Sequence, residues 1–228
     1  MTYGEIKDVV REHCGRVGWP TFMLDQALDM ARRNIENTGN LYWMRTSGTD
    51  TTVASTRNYT PVTDFGLTNF KDVRTLHAKR STETLWTEIP IGIISLEEAF
   101  LAFKTDEEDF PELAVLDNAT ITLFPIPDAA YDMKLYAWTY TSNQSNLESD
   151  ELSSRFPDAL IYGALVWMAE QYQKAFAEAD RWRALHELEI KKIHQHNFER
   201  EQMDKMTIFP ARGPYAQRRL RLDKSIWL

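Results

Sequence analysis

The sequence predicts an α+β fold: an antiparallel α-helical bundle with an inserted antiparallel β-sandwich or barrel and an extended C-terminal tail. Three observations predict it. Apolar residues recur at the 3.6-residue helical period in residues 1–40 and again in 150–206, and the period drops to two between Leu41 and Thr141. Residues 207–228 hold Pro210, Gly213 and Pro214 and show no helical stripe. At 228 residues and 43% hydrophobic content the chain can bury a sizeable core.

From Tyr3 to Arg16, Ile6, Val9, Val10, Cys14 and Val17 lie at helical spacing, and Gly15, Gly18 and Pro20 break the run. Thr21 is placed to cap a second helix reaching about Glu36, with Phe22, Leu24, Ala27, Leu28, Ala31 and Ile35 in its apolar stripe and Gly39 and Asn40 past its end. The runs LYWMR, TTVAS, DVRTLHAK, TLWTEI, ATITLF and YDMKLYAWTYT then read as strands. In ATITLF, Ala119, Ile121 and Leu123 give an apolar face and Thr120 and Thr122 a wet one. Tyr131, Met133 and Leu135 repeat the pattern after the turn FPIPDAA, so these last two runs are expected to pair as a hairpin. Ser95 followed by EEAFL marks a short helix inside the insert, and TDEEDFPE is a solvated acidic loop. Residues 142–154 are polar, rich in turn formers, and return the chain to helix.

Arg155 to Tyr172 is the most apolar stretch. Pro157 starts it, since a first-turn residue has no N–H bond to lose. Between Ala159 and Ala169 no residue is charged, and large side chains point all round the helix, so Leu160, Ile161, Leu165, Trp167 and Met168 are the expected structural core. An amphipathic partner helix follows, roughly Glu178 to Met203, with Trp182, Leu185, Leu188, Ile193 and Phe198 as its apolar stripe. The three predicted units are a bundle of residues 1–40 and 150–206, an inserted β-rich domain of 41–149, and the tail of 207–228.

The charge is unevenly spread. The tail holds Arg212, Arg218, Arg219, Arg221 and Lys224 against Asp223, a net of +4, so with the whole chain at -8 residues 1–206 carry -12. The tail also holds Phe209, Tyr215, Leu220, Leu222, Ile226 and Trp227, an apolar content foreign to ordinary disordered tails. It reads as an extended segment that orders on a partner, with Tyr215, Arg218, Arg219, Leu220, Arg221 and Trp227 as the anchors. An acidic body repels DNA, which disfavours a DNA-binding module and suits a passage through which DNA slides.

Chemistry finds little support. Cys14 is the sole cysteine, so no internal disulfide forms. His194 and His196 point about 200° apart on a helix and cannot chelate one ion together. No nucleotide-binding glycine motif, nucleophile elbow or His-Glu-x-x-His is present. Glu97 with Glu98 and Glu107 with Glu108 are sequence neighbours that face apart or into water. The expectation is no catalytic residue, no metal and no cofactor. No apolar run reaches the eighteen or so residues that span a bilayer, and no signal segment opens the chain, so a soluble protein is expected.

The order of the parts resembles the head-to-tail adaptor (connector) proteins of tailed bacteriophages, of the short-tailed type. The likeness is carried by the opening hairpin ending in Leu41, Tyr42 and Trp43, and by Thr52, Val53, Tyr59, Pro61, Asp64 and Phe65 leading into the β insert. Ile121, Leu123, Pro125, Pro127, Tyr131, Met133, Leu135 and Tyr136 continue it, and Leu147 and RFPDALIYGAL close it. It covers nearly all of the first 200 residues, although TYTSNQSNL replaces the proline-containing link often seen after the last strand. The resemblance implies a virion structural protein at the head–tail junction, made in the host bacterial cytoplasm. It implies a homo-oligomeric, dodecameric ring around the DNA channel, with C-terminal segments on the portal protein and tail or nozzle proteins at the other end. Double-stranded DNA would pass without specific binding, and no membrane would be involved. Two rival readings are a tail or stopper structural protein and a cell-wall hydrolase.

Overall fold

A computed structural model describes residues 1–15, 19–92, 94–103, 107–141 and 145–207, with side chains described through residue 203. It is a mixed α+β structure with six α-helices and two antiparallel sheets.

Two helices open the chain: α1 (Tyr3–His13) and α2 (Thr21–Asn37). Thr2 caps α1, its hydroxyl accepting from Glu5 N–H while the Glu5 carboxylate accepts from Thr2 N–H at 2.9 Å. Thr21 does not cap α2 as expected. Pro20 takes the cap position with extended angles and makes no side-chain bond, so Thr21 becomes the first helical residue. The run LYWMR is not a strand either: Tyr42–Met44 form a 3-10 turn.

Seven strands follow: β1 (Arg45–Thr51), β2 (Asn58–Tyr59), β3 (Phe70–Arg80), β4 (Thr87–Ile89), β5 (Leu113–Asp117), β6 (Thr120–Phe124) and β7 (Tyr131–Thr139). They form a four-stranded sheet in the order β1-β7-β3-β4 and a three-stranded sheet in the order β2-β6-β5. Neither closes into a barrel. The expected hairpin of β6 with β7 is absent, because the two strands lie in different sheets. Asn118 and Ala119, at φ 45° and 62°, make the two-residue turn of positive φ that joins β5 to β6 instead. Pro125 to Ala130 then carry the chain to the other sheet. Thr52 fastens that crossing: its hydroxyl donates to Ala129 O and accepts from Tyr131 N–H, both at 2.7 Å. TTVAS is a loop beyond Thr51, with Ser55 at φ 61°.

The sheets share one apolar cluster. Leu76, Ile89, Met133 and Leu135 from the larger meet Tyr59, Ala114, Ile121 and Leu123 from the smaller, together with Phe65 and Leu67. A short helix, α3 (Leu96–Ala102), with a capping box at Ser95 and Glu98, lies against the other face of the smaller sheet, where Ala99, Leu113, Val115 and Phe124 form a second cluster. The face of β6 read as wet is therefore covered: Thr122 is 5% exposed.

The chain then returns to helix through α4 (Glu151–Arg155), capped by Asp150, and α5 (Pro157–Met168). A π-helical turn over Ala169–Gln173 and Lys174 at φ 52° separate α5 from the long α6 (Phe176–Thr207). α5 is the central helix, packed against α1, α2 and α6. Of the expected core, Leu160, Ile161, Leu165 and Met168 are buried, whereas Trp167, with Tyr162 and Val166, is half-buried. α5 is thus covered on three sides rather than all round. The apolar stripe read on α6 is also wrong in part. Its buried seam runs through Ala179, His186 and Ile193 at heptad spacing, and Leu188 and Phe198 point outward. The seam includes a histidine because the core supplies its hydrogen bonds, which an apolar pattern cannot reveal.

Candidate assembly surfaces

The helices and sheets meet around the last turn of α2. The C-terminal carbonyls of a helix are unpaired and carry partial negative charge, and the Lys71 ammonium of β3 donates to Glu36 O and to Gly39 O at 2.5 Å. The Glu36 side chain is fully buried, and its Oε1 accepts from the N–H (3.3 Å) and hydroxyl of Thr141, just beyond β7. Burial pushes that carboxyl above the usual carboxylate range, against the opposing effect of the Thr141 bonds. Burial lowers the Lys71 ammonium below the ordinary lysine value. Asn40 donates to Asp72 at 2.9 Å, and Tyr140 donates to Asn37 at 2.9 Å with Arg33 over its ring at 4.6 Å.

A second group of contacts fixes where α6 goes. Asn197 Oδ1 accepts from Tyr42 N–H at 2.8 Å, and Arg45 lies 3.3 Å from Glu201. The ring of His196 sits 5.6 Å from both Tyr42 and Phe156, and its Nε2 accepts from Arg155 at 3.2 Å. Arg200 stands over Tyr42 at 5.3 Å. The Tyr42 hydroxyl donates to Glu151, and burial together with that carboxylate raises the phenol well above its ordinary value. The C-terminal part of α6 is thereby anchored beside the first residue of β1. Periodicity alone gave no hint of this, since Tyr42, His196 and Asn197 lie outside any apolar stripe.

Two exposed regions stand apart from these joints. A groove of 490 Å³ runs between α2, α5 and α6, floored by Gly163, Val166 and Trp167 and walled by Met30, His186 and Ile190. Burial lowers the His186 imidazole below its ordinary value. At the end of the larger sheet away from the helices, where β1 and β3 finish and β7 starts, Val53, Leu85 and Trp86 are exposed, Leu85 at 80%.

The residues singled out for chemistry have structural places. Glu98 closes the capping box of α3, Glu108 accepts from the Ser55 hydroxyl at 2.8 Å, and burial pushes the Cys14 thiol up to about 11. Among the described residues no three His, Cys, Asp or Glu side chains are placed to hold a metal ion. No described helix is long and apolar enough to cross a membrane. The predicted partner-binding residues Tyr215, Arg218, Arg219, Leu220, Arg221 and Trp227 lie outside the described residues.

No curated protein matches the chain. A family model does: that of the SU10 adaptor protein matches residues 1–214, a span holding the six helices, both sheets and the root of the tail.

Proposed function

The chain belongs to the SU10 adaptor protein family, phage head-to-tail adaptors and hence virion structural proteins, and from that premise we propose that it works as a ring. In this reading it is a non-enzymatic adaptor of a short-tailed phage, a dodecamer that sits beneath the portal protein, joins it to tail or nozzle proteins and continues the DNA channel. The protein is made in the host cytoplasm and acts at the head–tail junction. The helical domain of 1–40 and 150–206, folded as an antiparallel bundle, and the β domain of 41–149, folded as a sandwich, form the ring wall. Residues 207–228 reach the portal as an extended tail, through Tyr215, Arg218, Arg219, Leu220, Arg221 and Trp227.

The family match over residues 1–214 carries this proposal. Charge supports it: a net of -12 over residues 1–206 keeps DNA from sticking in a channel, and the +4 tail suits an acidic partner surface. The anchoring of α6 at Asn197 and Glu201 supports it too, because every subunit then holds the C-terminal part of that helix in the same place beside β1.

Native mass spectrometry of the protein mixed with its portal, with and without residues 207–228, tests the proposal. A ring of twelve on the portal that is lost on truncation is the expected result. A ring that forms equally well without the tail removes the tail from portal binding, and no ring with either protein removes the adaptor mechanism.

A further inference from the structure

The outer side of β1 is an open sheet edge. Among the described residues β1 pairs only with β7, in unbroken register from Arg45 opposite Trp138 to Thr51 opposite Asp132. Just beyond, Thr52 N–H donates to Tyr131 O at 2.9 Å. Ladder alternation therefore turns the main-chain groups of Thr46, Gly48 and Asp50 toward β7 and those of Ser47, Thr49 and Thr51 away from it. Among the described residues nothing hydrogen-bonds to these outward groups. Proteins blunt such edges with proline, lysine, a bulge or a very short strand. β1 has seven residues, no proline, no lysine and no bulge, and Asp50 is the one charge on its inner face. The other edges are managed: β4 has three residues, β2 has two, and β5 is met by Ala114 N–H to Pro90 O at 2.9 Å and Gly92 N–H to Ala114 O at 3.1 Å.

The chain itself contains a matching strand. In residues 219–223, Arg219, Arg221 and Asp223 alternate with Leu220 and Leu222, a period of two that the proline-rich stretch before it lacks. Reach is sufficient. α6 is tied to Arg45, the first residue of β1, at Glu201, and six further helical residues add about 9 Å. β1 is about 24 Å long, and residues 208–217 extend over as much as ~33 Å.

We propose that residues 219–223 dock on the outer edge of β1 of the same chain as an added antiparallel strand, with Arg221 opposite Thr49. In that register Arg219 and Arg221 lie on the face where Ser47, Thr49 and Thr51 are exposed. Leu222 falls opposite Gly48, whose missing side chain leaves Phe65 in contact with the strand. The proposal goes beyond portal docking and stands without it, because it concerns the free subunit. Three of the residues assigned to the portal, Arg219, Leu220 and Arg221, then have two seats, and the portal must displace them from β1.

The test uses the full-length protein without portal. Hydrogen exchange of the Ser47, Thr49 and Thr51 amides is expected to be at least tenfold slower than in the Arg221→Pro variant, which removes one tail donor and leaves the body untouched. In a Cys14→Ser chain, Thr49→Cys with Arg221→Cys is expected to form a disulfide within one chain. Exchange unaffected by Arg221→Pro, or no disulfide, overturns the proposal. A disulfide between two chains also overturns it, and makes β1 a joint between copies. Portal binding, weighed separately by native mass spectrometry, leaves the two readings distinguishable.

Discussion

His186 Nδ1 donates to the carbonyl oxygen of Ala159 across 2.9 Å, binding the middle of α6 to the first turn of α5. The carbonyl can only accept, so Nδ1 holds the proton, and Nε2 accepts from Asn34 Nδ2 at 3.4 Å. The neutral imidazole thus satisfies both neighbours at once.

Acid should weaken the fold through this residue. Burial lowers the folded pKa of His186, so the unfolded chain binds the extra proton first as pH falls below about 6.5. Stability is then full above the unfolded pKa and is lost toward the folded one, by at most about 1.4 kcal/mol per pH unit. Urea unfolding at pH 7.5 and 5.5 should show the loss in the native protein and less of it in His186→Gln.

Glu36 should act in the opposite sense. Its folded pKa is raised, so the native state keeps its proton longer, and stability declines as pH rises from the unfolded value upward. Glu36→Gln retains the shape and an acceptor for Thr141 without a buried charge. It is expected to unfold at higher urea than the native protein at pH 7.5, and an unchanged midpoint would mean that the charge is fully compensated.

Gly163 has no room for a side chain. A Cβ there would lie 2.8 Å from Ala31 Cβ and 2.8 Å from His186 Cε1, wedging α5 away from both neighbours. Gly163→Ala should cost about 1 to 3 kcal/mol, measured by thermal or urea unfolding.

The two sides of α5 should respond differently to truncation. Leu165 is 3% exposed, and Leu165→Ala should cost about 2 to 5 kcal/mol. Trp167 lies half-buried on the groove floor, so Trp167→Ala should cost less stability. A Trp167→Ala protein that stays folded and loses ring assembly would place the groove at a subunit contact.

Asn197→Ala should leave the Tyr42 N–H without its acceptor and cost about 1 to 3 kcal/mol. The loss is local to the end of α6, so limited proteolysis near residue 200 should speed up while the rest of the chain stays protected.

These residues also mark what was legible in the sequence. α5 was readable because uninterrupted large apolar residues behind a proline leave few alternatives, and β3 and β7 were readable because one face of each is apolar. β1 was missed because RTSGTDT offers an edge strand almost no apolar side chain, its place being fixed by main-chain pairing with β7. β5 was missed for the opposite reason: with α3 on one face and the larger sheet on the other, Leu113, Ala114 and Val115 are all buried, and alternation vanishes. The false hairpin followed from reading β6 and β7 as neighbours because they are consecutive, when Asn118 and Ala119 had already given β6 its partner. Seam positions such as His186 and Asn197 are polar residues whose partners lie far away in sequence, and no local pattern can announce them.

The helical core draws its parts from both ends of the chain, and this sets the timetable of synthesis. α2 ends at Asn37 and the helix it packs on starts at Pro157, about 120 residues later. At a ribosomal rate of about 5–20 residues per second, the apolar stripe of α2 waits roughly 6 to 24 seconds for its cover. The β strands have all emerged by then. A chaperone that shields α2 during that interval, or a nascent chain that stalls within it, would therefore decide the yield of subunits before any ring is attempted.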